Sequence, residues 1–188
     1  MIRSAALRRG LRRFGEDRRG VSAIEFAMVA PLMLLILFGL NELGQAMMAQ
    51  RKVSHAASQV GDLAAQSKSL TKAEVDQIFG AGTATVVPFD TALLKLRLTS
   101  ITADANNLPK IDWTRSQGMD KRTIVPTDLP AGLVVTKGDS VILAEATYLY
   151  SSPFSFQLAN YKPIGPVQLN EHFYLRPRQS NIACSDCD

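Results

Sequence analysis

The chemistry-bearing residues of this 188-residue chain are few. Cys184 and Cys187, in "CSDCD", are its only cysteines. Their spacing is that of a dithiol redox pair or of half a zinc site. A redox pair needs a helix N-terminus or a cation to stabilise its thiolate, whereas Asp186 and Asp188 here disfavour one. Zinc would need two further ligands from another chain. Disulfide formation in an oxidising compartment is the chemistry that remains, either locally between Cys184 and Cys187 or between chains. The two histidines, His55 and His172, have no Cys, Ser or carboxylate at the spacing of a ligand set or a triad. They read as surface or edge residues. No carboxylate pair is marked as an acid/base couple. We expect no catalytic residue, no metal and no cofactor.

Glu25 is the one acid with an unusual setting. It stands five positions after Gly20, inside "VSAIEFAMVAPLMLLILFGL", where Val21 to Leu40 is otherwise uncharged. Twenty helical residues span about 30 Å, the thickness of a bilayer core. A carboxylate near the end of such a run costs less than one at its middle, and it can also reach back to the headgroups. Pro31, inside the run, marks a point where the helix can kink. A small-x-small site at Gly44-Gln45-Ala46 would suit a cleaved secretory signal. The helical pattern continues through it unbroken, which favours a retained anchor.

Charge sets the expected orientation. Residues 1–20 carry seven arginines against Glu16 and Asp17, a net of +5, while the chain from Asn41 onward has fourteen basic and fourteen acidic residues. Basic residues concentrated before a span keep that end in the cytoplasm. The neutral remainder has no basic stripe with interleaved aromatics, so nucleic acid is not an expected partner. The membrane is.

Beyond the apolar run, Ala46, Ala49, Val53, Ala56, Val60 and Leu63 recur at alternating steps of three and four, with polar residues on the other faces. One helix from about Val21 to Gln66 is expected, its second half packing on its own domain or on a neighbour. Thr71-Lys72-Ala73-Glu74 has the form of a capping box and starts a short helix ending near Phe79. "GAGTATV" then reads as a loop, without the glycine spacing and lysine of a phosphate loop. The period next changes to two. Leu94, Leu96 and Leu98 alternate with polar residues; "ADANNLP" makes a turn; "KIDWTRS" is the hairpin partner. "SVILAEATYLY" and "VQLNEHFYLRP" are the remaining strands, joined by the long connection "PFSFQLANYKPIGP". Trp113, Tyr148 and Tyr150 fill or edge the sheet core. The fold class is α+β: a long N-terminal helix, a short helix, and an antiparallel sheet of about four strands.

At "RRGVSAIEFAMVAPLMLLILFGLNELG" the sequence resembles the TadE/TadG-like proteins of Tad (Flp) pilus machinery. The matching elements are the Arg-rich lead, Arg18-Arg19-Gly20, Ala-x-Glu-Phe-Ala ending at Ala27, Pro31, the leucine-rich run, and Gly39-x-x-Glu42-x-Gly44. "AEATYLY" and "FYLRPR" resemble later segments of the same family. The resemblance implies a pilin-like α+β fold and a non-catalytic role as a minor pseudopilin or membrane-anchored assembly factor. The alternative is a permanently anchored, uncleaved bitopic scaffold of the same machine. It implies processing by a prepilin peptidase between Gly20 and Val21, directed by Glu25 and Phe26; major Flp pilins have tyrosine where Phe26 stands. Other pilins, pseudopilins and Tad assembly proteins are the implied partners. The organisation expected is a basic cytoplasmic leader (1–20), an inner-membrane helix (21–41), an amphipathic extension (42–68) and a periplasmic α+β domain (69–188).

Overall fold

The computed structural model describes residues 20–134, 136–151, 166–178 and 181–187. The arginine-rich leader and nearly all of the 153–166 connection therefore lie outside the described residues. The chain divides into two compact units, one ending at Gly44 and the other beginning at Gln45.

Helix α1 spans Val21–Gln66 with Pro31 inside it, the bounds that the periodicity gives. In the first unit its residues are almost all solvent-exposed. In the second unit it carries a buried stripe of Ala49, Val53, Ala56, Ala57, Val60, Gly61, Ala64 and Ala65. The stripe is wider than the expected seam because the sheet below is broad. Leu63 is displaced to the half-buried flank, and Ala64 takes the inward position. The seam thus packs on its own domain.

Strand β1 (Ser69–Leu70) leads into helix α2 (Lys72–Thr85). Thr71 caps α2 with the full capping box: its hydroxyl accepts from the Glu74 amide, and the Glu74 carboxylate accepts from the Thr71 amide at 2.8 Å. The stretch expected to be a loop after Phe79 is instead the last turns of α2. Gly82 is buried there, closely packed against Val60 and Leu96, and the hydroxyls of Thr83 and Thr85 donate to the carbonyls of Phe79 and Gly82. Tertiary packing at Gly82 and these local bonds override the weak helix propensity of glycine and threonine.

A 3-10 turn at Thr91–Leu93 precedes β2 (Leu94–Ala103), β3 (Pro109–Gln117), β4 (Ser140–Tyr150) and β5 (Val167–Leu175), which form an antiparallel sheet in the order β3-β2-β4-β5. The β2–β3 turn is held by Asp104, whose carboxylate accepts from the amides of Asn106 and Leu108, with Asn107 at φ 61°. A register shift at Ser100/Ile101 marks a bulge between these strands.

Residues directly opposite across the ladders share a face. Leu94, Leu96 and Leu98 lie opposite Tyr148, Ala146 and Ala144 and pack with the α1 stripe, Val75 and Phe79. Trp113, Tyr148 and Tyr150 belong to the same core. The opposite face is covered too. Ile101, Val141 and Leu143 pack with Val125, Leu129, Leu133 and Val134 from the 118–139 connection. The β2 pattern of alternating leucines therefore does not mark a face open to water. A last strand, β6 (Ala183–Cys184), pairs in parallel with β1. This is an α+β layout with a four-stranded antiparallel sheet.

Candidate functional site

The first unit is the most unusual part of the molecule. Fourteen large apolar residues between Val21 and Leu43 are exposed, Phe26 at 73% and Met28 at 77% among them. Burying one such side chain is worth about 1.5–3 kcal/mol, so water around all of them forfeits on the order of 20–40 kcal/mol. That exceeds the whole stability of an ordinary domain, about 5–15 kcal/mol. An 18-residue window here reaches a mean hydropathy of 2.3, with none of it buried within the protein. By length and composition the segment is a candidate membrane span.

Gly20 directly precedes the first residue of α1, and among the described residues no side chain packs against it. The first turn of α1 carries no acid. Glu25 is exposed in the second turn, four residues after Val21, and so shares its helix face. Phe26 is its exposed neighbour. Gly20, Val21, Glu25 and Phe26 thus lie together at one helix end, with Pro31 about one and a half turns further on.

A second polar constellation, on the face of the sheet away from α1, had no counterpart among the sequence expectations. Glu145 of β4 accepts two hydrogen bonds from Arg97 of β2, each 2.6 Å, and two from Arg122, at 2.6 and 3.2 Å. Arg97 also donates to the Asp120 carbonyl at 2.9 Å. Nearby, Tyr174 donates to Asp128, whose carboxylate lies 3.5 Å from Nε2 of His172. Burial pulls the Glu145 pKa upward, but the bonds from Arg97 and Arg122 outweigh it and the net shift is downward. Burial, together with Asp128, pushes the Tyr174 phenol up to about 12. An acid with both oxygens held by guanidinium groups is a fastener, not a poised base. It ties the 118–139 connection to the sheet. One signal was visible in the sequence: a glutamate in the middle of an otherwise buried strand requires a cationic partner.

Elsewhere, grooves beside α1 bring Arg51, Ser54, His55, Ser58 and Phe173 together, but no hydrogen bond joins a serine to His55. His172 is exposed on edge strand β5. Among the described residues no cluster of three or more His, Cys, Asp or Glu is placed to hold a metal. Cys184 and Cys187 are joined to each other by a disulfide.

One candidate membrane helix and an α+β layout with a four-stranded antiparallel sheet define the class of this chain. The family is more specific. The family model described as TadE-like protein matches residues 20–62, and over that stretch the chain is similar to TadE-like proteins. The match covers α1 as far as Asp62 and stops before the sheet. A TadE-like domain suggests involvement in Tad pilus assembly. Neither a curated protein nor a solved structure matches the chain.

Proposed function

We propose that this chain is a minor pseudopilin or membrane-anchored assembly factor of a Tad/Flp-type pilus, working through helix packing and protein–protein contacts. The observation that carries the reading is an unburied, membrane-length helix whose family match begins at Gly20, with Glu25 one turn inside it. In this reading the arginine leader stays in the cytoplasm, α1 crosses the inner membrane, and the α+β body faces the periplasm.

Cleavage by a prepilin peptidase between Gly20 and Val21 would leave a new ammonium on Val21. Four helical residues rise about 6 Å, so that ammonium and the Glu25 carboxylate fall on one face, in the same subunit or between neighbours. A carboxylate at the centre of a bilayer costs about 2.5–3.5 kcal/mol and less near the interface. Pairing with the ammonium offsets this cost and fixes the axial register between subunits.

N-terminal sequencing of the protein isolated from membranes tests the reading. A mature chain beginning at Val21, lost in Gly20→Val, is expected. A chain retaining its leader in the presence of an active peptidase would favour the permanently anchored scaffold. A reporter active only in the periplasm, fused after Asp188, should be active. Activity of a cytoplasm-only reporter at that position would reverse the topology.

A further inference from the structure

The segment 181–187 is attached to the rest of the second unit by four separate contacts. Trp113, 3% exposed, donates its indole N–H to the Ile182 carbonyl at 2.7 Å. Ile182 is itself fully buried, and Cys187 is 2% exposed in the same core. Ala183 and Cys184 pair with Ser69 and Leu70. The Asp186 carboxylate accepts from the Lys72 amide at 2.6 Å. Lys72 is the first residue of α2, so Asp186 supplies an acceptor and a negative charge to a helix N-terminus that the Thr71–Glu74 box only partly satisfies.

These contacts demand a sharp turn between Ala183 and Cys187. Cys184 must lie in the β6 pairing while Cys187 turns back into the core, and Asp186 between them must face α2. A disulfide across three residues enforces such a turn directly. It does little else for the chain: closing so short a ring removes little entropy from the unfolded state. The bond therefore acts on the local shape of the segment and only weakly on the stability of the sheet.

The geometry points to a redox-locked clasp. The Cys184–Cys187 disulfide holds residues 182–187 over Trp113 and against the start of α2, and reduction opens this segment while the four-stranded sheet stays folded. Closure is a two-electron step. The two thiols lose two protons and two electrons to the disulfide of a thiol–disulfide oxidant, which leaves as a dithiol. Opening is the reverse, with a dithiol such as dithiothreitol ending as its cyclic disulfide. The inference rests on contacts within the second unit and is independent of pilus assembly and of cleavage at Gly20.

Trp113 is the only tryptophan in the chain, so its emission reports on the clasp without labelling. The test uses the full chain in detergent micelles, with thiols counted in every sample. Reduction with dithiothreitol should shift Trp113 emission to longer wavelength by several nanometres, and reoxidation should reverse the shift. Far-UV circular dichroism should hardly change. Cys184→Ser/Cys187→Ser should show the shifted emission without reductant and no response to it. Asp186→Ala, with the disulfide intact, should keep the buried emission while amide exchange at the start of α2 quickens. Unchanged emission with two free thiols counted would overturn the clasp. Loss of the sheet signal on reduction would also overturn it, since the bond would then support the whole body.

Discussion

Gly61 of α1 lies against Leu175 of β5 so closely that a Cβ at position 61 would stand 2.4 Å from Leu175 Cδ1, and 2.9 Å from the Ala144 Cβ. The leucine tip can swing aside, but the Ala144 methyl has no torsion that moves its carbon. This contact sets how near α1 approaches the sheet. Gly61→Val should destabilise the body by about 3 kcal/mol through overpacking, read as a lowered urea midpoint at unchanged slope. An unchanged midpoint would mean that α1 is free to lift from the sheet.

The glycines of α2 provide an internal contrast. A Cβ on Gly82 would meet Val60 Cγ2 at 2.3 Å, whereas at Gly80 nothing lies within 4 Å. Alanine is favoured over glycine inside a helix by about 1 kcal/mol. Gly80→Ala should therefore stabilise by roughly that amount, and Gly82→Ala should destabilise. If both stabilise, the segment after Phe79 is not packed as the structure has it.

Glu145 makes stability depend on acid. Its folded pKa is lowered from the ordinary glutamate value, burial being outweighed by the bonds from Arg97 and Arg122. Its contribution is therefore present in full above the unfolded pKa, and it is lost as pH falls through the lower, folded value. Removing one partner of a largely desolvated ion pair costs roughly 3 kcal/mol. Glu145→Gln should lose about that much at pH 7, with the gap from the parent protein narrowing below pH 4. A gap that stays constant between pH 7 and pH 3 would show that the carboxylate charge contributes nothing.

Glu25→Gln tests the subunit-register role. Glutamine keeps the size and hydrogen bonding of the side chain and removes the charge that, in the function proposed above, pairs with a Val21 ammonium. It also enters a bilayer at lower cost than a carboxylate. Expression, insertion and cleavage should survive while piliation falls several-fold. Normal piliation, in a strain that needs this protein, would reduce Glu25 to a side chain reaching for the headgroups.

The features legible in the sequence were those written in local periodicity. The step of three and four from Ala46 to Val60 carried α1 to Gln66, Thr71 and Glu74 announced α2, and the Leu94–Leu98 alternation announced the sheet. Other features depend on partners distant in sequence. Gly82 looks like a breaker until Val60 and Leu96 are known to press on it. Arg97, Glu145 and Arg122 are ordinary charges until the β2–β4 register sets the first two opposite each other. The β1–β6 pair is two residues long, too short for any pattern to show. Gly20, Val21, Glu25 and Phe26 are singled out only by the motif that they form, with no periodicity to mark them.

The bond between Lys72 and Asp186 joins residues 114 positions apart. Ribosomes add roughly 5–20 residues per second, so on the order of ten seconds separate the synthesis of the two partners. Throughout that interval α2 lacks its second capping acid, and from its own synthesis onward Trp113 waits for the Ile182 carbonyl. Both helices and all four strands of the larger sheet are made before that segment. Residues 182–187 are consequently the last part of the body able to dock.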